Sequence, residues 1–130
     1  MDTLVQAALG ARVRAYAPYS RFNVGAAIRT DAGAIHAGCN VENAAYPEGT
    51  CAEAGAIAAM VLAGGGRIAE VVVAGGGHAP CTPCGGCRQK LREFGTGATV
   101  IRIVDAQGAA LLRTTLADLL PHSFGPDNLR

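Results

Sequence analysis

Cys51-Ala52-Glu53 and Pro83-Cys84-Gly85-Gly86-Cys87 are the two segments that any fold of this chain has to bring together. Three thiols in a one-plus-two arrangement can hold a zinc ion. Three protein ligands leave the fourth position to water, whereas a structural zinc site fills all four with protein. Glu53, two residues past the first thiol, is placed to move protons to and from that water. Both segments stand where helices are expected to begin, and the orphan N–H groups and dipole of a helix start lower a thiolate's pKa. Cys84 and Cys87, three residues apart, share one face of a turn. Cys51 comes from another helix, so a shared metal would pin two helices together.

The remaining composition narrows the setting. A length of 130 residues fits one domain, here taken as residues 1–130, and a hydrophobic share of 50% is enough for a core. A net charge of +1 and 5% aromatic residues give no basic face or stacking platform for nucleic acid. Five cysteines is an odd number and no signal peptide is evident, so metal-binding thiols in a reducing cytoplasm are expected over disulfides. The apolar run Ala54–Ala63 is too short to span a membrane.

Periodicity supplies the elements. Leu4, Val5, Ala8, Leu9, Val13 and Tyr16 recur at helical spacing, predicting a helix over 2–16 capped by Asp2 or Thr3 and stopped by Pro18. Strands over 22–30 and 34–43, joined by the turn Asp31-Ala32-Gly33, read as a hairpin. After a loop over 44–50, Thr50 and Glu53 form a capping-box pattern for a helix over 51–63. Val71-Val72-Val73 marks a buried strand over 69–74. Pro83 opens a helix over 84–94. Strands over 99–104 and 109–113 are too closely linked for a parallel crossover and are expected antiparallel. A short helix capped by Thr114 or Thr115 runs to Leu120. The order α-β-β-α-β-α-β-β-α predicts an α/β fold with three α-β-α layers and a five-stranded mixed sheet.

A lone C-x-x-C is weak evidence, because such pairs also serve redox chemistry. C-x-E joined to P-C-x-x-C at two helix starts is much stronger, and matches the three-cysteine form of the zinc-deaminase pattern. Around it stand Ala17-Pro18-Tyr19-Ser20-Arg21-Phe22, Gly38-Cys39-Asn40-Val41-Glu42-Asn43-Ala44, Arg88-Gln89, Leu119-Leu120-Pro121 and Phe124-Gly125-Pro126. With these the chain resembles the small homotetrameric cytidine deaminases of free nucleosides over nearly its whole length.

The resemblance implies one Zn2+ per subunit on Cys51, Cys84 and Cys87. It implies that Glu53 passes a proton from water to N3 of cytosine and assists loss of the C4 amine as ammonia. Asn40 and Glu42 would hydrogen-bond the ribose, and Phe22 would pack on the base. Ala44, Tyr46 and Phe124 would complete pockets at subunit contacts. Cytidine and 2′-deoxycytidine would give uridine and 2′-deoxyuridine, in pyrimidine salvage. One position departs from the pattern. Many relatives carry Arg directly after the glutamate, donating to the thiolates, and here that residue is Ala54. Arg88 and the helix N-termini are expected to compensate.

The residues alone leave rival readings open. Glu53 can be a helix cap, Asn40 and Glu42 can be solvated edge groups, and Phe22 and Tyr46 can be packing residues. Cys81 with the other three thiols could close a structural site, giving a non-enzymatic zinc-stabilised module. Another cytosine nucleoside such as blasticidin S is a rival substrate, against which the motif Asn40-Val41-Glu42-Asn43 argues.

Overall fold

The computed structural model describes residues 1–130. Its elements are α1 (Thr3–Arg12), β1 (Gly25–Thr30), β2 (Ile35–Cys39), α2 (Ala52–Leu62), β3 (Ile68–Ala74), α3 (Gly85–Phe94), β4 (Val100–Val104), β5 (Ala110–Thr115) and α4 (Leu116–Leu119). One five-stranded sheet runs in the order β2-β1-β3-β4-β5. β1 is antiparallel to both β2 and β3, β3 and β4 are parallel, and β4 and β5 are antiparallel. The expected mixed sheet, hairpin and antiparallel last pair are all present.

Strand alternation builds the layers. Side chains two apart share a face of a sheet. Ala26, Ile28, Val71, Val73, Ile101 and Ile103 face one side and pack with Ala56, Met60 and Leu91 of α2 and α3. Ala27, Val72, Ala74 and Val104 face the other side and meet Leu4, Val5 and Ala8 of α1. The run Val71-Val72-Val73 is apolar throughout because both its faces are covered.

Several boundaries differ from expectation, each through a long-range contact. α1 ends at Arg12, not at Tyr16. Tyr16 leaves the helical path to bridge Val41: its N–H donates to Asn40 O at 3.0 Å and its O accepts from Glu42 N at 2.8 Å. The hairpin pairing stops at Gly25 and Cys39, so Phe22, Asn40 and Glu42 lie beyond the strands. Thr50 does not cap α2. Its backbone is locked to Val41 in both directions, at 3.0 and 2.9 Å, and the N-cap is Cys51. Thr115 does cap α4, accepting from Asp118 N. The C-terminal segment forms a 3-10 turn over Pro126–Leu129.

α2 reaches the sheet through a glycine contact. A methyl group on Gly38 of β2 would stand 2.3 Å from Ala56 N and 2.6 Å from Ala52 O. Only hydrogen fits between these backbones. That approach sets where α2, and with it Cys51, sits above the sheet.

Candidate active site

α2 and α3 begin side by side, each N-capped by a cysteine: Cys51 and Cys84, neither using its sulfur to cap. Cys87 lies one turn into α3 and is fully buried. Cys51 Sγ and Cys84 Sγ are 4.0 Å apart, and all three sulfurs lie within 4.8 Å of one another. Two sulfurs about 2.3 Å from one zinc at the tetrahedral angle stand roughly 3.8 Å apart. The donor set therefore fits a single zinc ion, with no side chain of the trio left for other work.

The thiols differ in their surroundings. Burial pushes Cys87 and Cys51 above the ordinary range, and the negative charge of Glu53 adds to both. The Cys87 backbone N–H pulls Cys84 below it, aided by the Gly86 N–H. This is the helix N-terminus acting as an anion binder.

Cys51 and Cys84 open onto a cavity of about 320 Å³, within the range of small-molecule sites. Glu53 lines it and is only 4% exposed. Burial pushes its carboxyl pKa up. With Cys51 as the cap, Glu53 is the second helical residue, so the expected capping box with Thr50 is not made and the carboxylate is left to the cavity. Cys81 lines the same cavity but stands outside the trio, so the four-thiol clamp is not formed.

The sugar-binding candidates are in place. Asn40 and Glu42 line the cavity, although neither lies in a strand. Asn40 Oδ1 accepts from Val24 N at 2.9 Å, and Asn40 Nδ2 donates to Phe22 O at 2.8 Å. Tyr46 lines the cavity rim at 76% exposure and meets Tyr19 edge-on, ring centroids 6.0 Å apart. Phe22, Ala44 and Phe124 do not line the cavity, and all three are exposed.

Arg88 departs from its expected role. It donates to Pro83 O and Leu119 O, both at 2.7 Å, and to Thr82 Oγ1 at 3.4 Å, with no bond to a sulfur. It braces the loop before Cys84 against the end of α4. Any influence on the thiolates passes through that loop. Thr82, Tyr19 and Ser20 received no role from the sequence, although Tyr19 and Ser20 lie inside the motif Ala17–Phe22.

An open three-thiol centre beside a buried carboxylate is the arrangement of a catalytic zinc hydrolase. Comparison with known proteins narrows this class. The sequence model of the cytidine and deoxycytidylate deaminase zinc-binding region matches residues 1–103. A cytidine deaminase of Sporosarcina psychrophila is 37% identical over 129 residues, covering 99% of this chain and 94% of that protein. One of Mycobacterium tuberculosis is 42% identical over 124 residues, covering 95% and 86%. The crystal structure of cytidine deaminase from Burkholderia pseudomallei superposes with a TM-score of 0.87 at 42% identity, covering 95% of this chain and all of that one. The chain belongs to the cytidine and deoxycytidylate deaminase family and carries that family's zinc-binding region.

Proposed function

We propose that this protein hydrolyses cytidine and 2′-deoxycytidine to uridine and 2′-deoxyuridine with release of ammonia, as a step of pyrimidine salvage. The observation that carries the reading is three sulfurs at zinc spacing, those of Cys51 and Cys84 on a cavity that also holds a buried glutamate. When bound on Cys51, Cys84 and Cys87, zinc supplies Lewis acidity that brings the pKa of water down toward ~7.

The chain's residues do the rest. Glu53 accepts one proton from the attacking water and hands it to N3 of the base. It then takes the second, from the hydroxyl that the addition leaves on C4, and passes it to the C4 amine, which departs as ammonia as the C4 carbonyl forms. Its burial raises its affinity for a proton, which suits a group that must hold one between steps. Asn40 and Glu42 engage the sugar, Phe22 packs near the base, and Arg88 holds the ligand loop.

Two substrates stand in the family's description, a nucleoside and a nucleotide. The residues lining the cavity and its adjoining recess include no Lys, Arg or His, while Glu42 and Glu53 are acidic. A phosphate there would meet like charge with no counter-ion, which favours the uncharged nucleoside.

Self-association as a homotetramer completes the site in this reading. Tyr16, Tyr19, Phe22, Tyr46 and Phe124 are exposed, five of the six aromatic side chains of the chain. Exposed aromatic surface of that kind is covered in assemblies. Five unpaired cysteines suit a reducing cytoplasm. No helix is long and apolar enough to cross a membrane.

The test is ammonia release from cytidine by zinc-loaded protein. Glu53→Gln is expected to lower kcat by about 10²–10⁴-fold with zinc retained. Equal rates for the two zinc-loaded proteins would overturn the reading.

A further inference from the structure

Ser20, to which the proposed chemistry gives no role, sits at the centre of a small hydrogen-bonded hub around Glu42. The Tyr19 and Ser20 N–H groups donate to Glu42 Oε1 at 3.0 and 3.1 Å. The Ser20 hydroxyl donates to Glu42 Oε2. The same hydroxyl accepts from Phe22 N at 3.0 Å. That bond occupies the oxygen from the Phe22 side and directs its single proton toward Glu42. Arg21, between Ser20 and Phe22, has φ of 59°, the left-handed region that a non-glycine residue adopts only when its surroundings hold it.

A carboxylate offers about four acceptor positions. Three of those on Glu42 are taken by Tyr19 and Ser20, leaving one, on Oε2. Glu42 lines both the cavity over the thiols and the adjoining recess formed with Tyr19 and Ser20. Its orientation between the two is set by the Ser20 hydroxyl, the one partner of Oε2 within the chain.

We propose that Ser20 is a positioning residue for sugar recognition: its hydroxyl turns the Glu42 carboxylate so that the last acceptor position of Oε2 takes one secondary ribose hydroxyl. The proposal rests on the reading of Glu42 as a sugar-binding group. Ser20 also ties Glu42 to Phe22, so one hydroxyl sets the register of the sugar contact against the segment that borders the base.

Steady-state kinetics on zinc-loaded protein test this with cytidine and with 2′,3′-dideoxycytidine, which lacks both secondary hydroxyls. Ser20→Ala is expected to raise KM for cytidine about tenfold, the size of one hydrogen bond to a charged group. Its kcat stays within about twofold, its KM for the dideoxynucleoside is unchanged, and Ser20→Thr restores cytidine KM. An equal rise in KM for both nucleosides, or a fall in kcat at constant KM, would show that Ser20 merely staples the loop. Glu42→Gln runs in parallel. If it raises cytidine KM while Ser20→Ala does not, the positioning role fails alone. If Glu42→Gln itself leaves cytidine KM unchanged, the sugar-binding reading fails and the proposal goes with it. Ser20 is exposed, and melting curves of both Ser20 variants confirm folding; should Ser20→Ala not fold, Ser20→Gly removes the same hydroxyl and carries the same expectations.

Discussion

A one-residue shift of a helix cap decides what Glu53 can do. Had Thr50 capped α2, Glu53 would be the third helical residue and could reach back to the cap N–H. With Cys51 as the cap it is the second, and its carboxylate faces the cavity. Cys51 is a poor cap, because serine, threonine, aspartate and asparagine are preferred at that position. Its presence there makes sense as a ligand. Cys51→Ser is therefore expected to hold or raise the stability of the metal-free protein, by up to about 1 kcal/mol, while zinc content and activity fall. Metal analysis and melting of the chelated protein measure both. A variant that kept its zinc would mean that the sulfur is not a ligand.

At the scale of elements, the site depends on how closely α2 lies on β2. Gly38 and Gly55 face one another across that contact, and a methyl group on Gly55 would meet Gly38 Cα at 3.4 Å. The Gly38 position is far tighter, with backbone atoms within 2.6 Å on several sides. Gly38→Ala must push α2 away from the sheet, moving Cys51 from Cys84. The expected outcome is a loss of about 2–3 kcal/mol in stability, as for overpacking, together with weakened zinc retention. Denaturant melts and competition with a chelator read the two effects. Gly10→Ala, at a glycine of α1 with open space around it, is the control and leaves zinc untouched. The glycine itself was visible in the sequence. Its partner was not, because nothing local says which helix backbone will lie against it.

Across the whole molecule, the sheet face away from the zinc carries an ion-pair chain. Arg29 bonds Glu70 at 2.6 Å, Glu70 also meets Arg102, and Arg102 reaches Asp2 at 2.8 Å, joining both ends of the sequence's core. The Arg102 guanidinium holds Asp2 at about 2, against an ordinary 3.8. Burial opposes ionisation of Glu70, yet Arg29 and Arg102 outweigh it and hold its pKa below the usual range. Both groups bind protons less tightly folded than unfolded. Their stabilisation is full above the ordinary carboxylate pKa and is lost as pH falls through each group's lowered folded pKa, about 2 for Asp2. Asp2→Asn keeps a capping oxygen for Val5 N and removes the charge. It is expected to cost no more than about 1 kcal/mol at pH 7, since Asp2 is half exposed, and to flatten the acid limb of the melting profile.

The C-terminal segment belongs to this scale too. Arg92 of α3 bonds Ser123 Oγ at 2.9 Å and Asp127 at 2.7 Å, and Gln89 bonds Phe124 O at 2.9 Å. The backbone that carries Phe124 is thus fixed while its ring is 57% exposed. If the ring serves a neighbour, Phe124→Ala and Glu53→Gln, each impaired alone, should regain activity when unfolded and refolded together. Light scattering gives the assembly size, and no recovery in co-assembled protein would place the Phe124 role within one subunit.

By itself the sequence determined the parts that local chemistry dictates. Periodicity, the apolar run Val71–Val73 and the cap, proline and turn residues gave the four α-helices and five strands, though not the 3-10 turn over Pro126–Leu129. The short link between β4 and β5 imposed their antiparallel pairing, and the two thiol segments with Glu53 pointed to a zinc centre. Tertiary structure decided what depends on distant partners. Val41 captured Thr50 and so moved a helix cap, Tyr16 left its helix for the same strand extension, and Arg88 turned to carbonyl oxygens instead of sulfur. The Ser20–Glu42 pair, twenty-two residues apart, exists only because the hairpin folds one segment over the other. Backbone and side-chain donors choose among acceptors by proximity, and proximity across the sheet is not written in neighbouring residues.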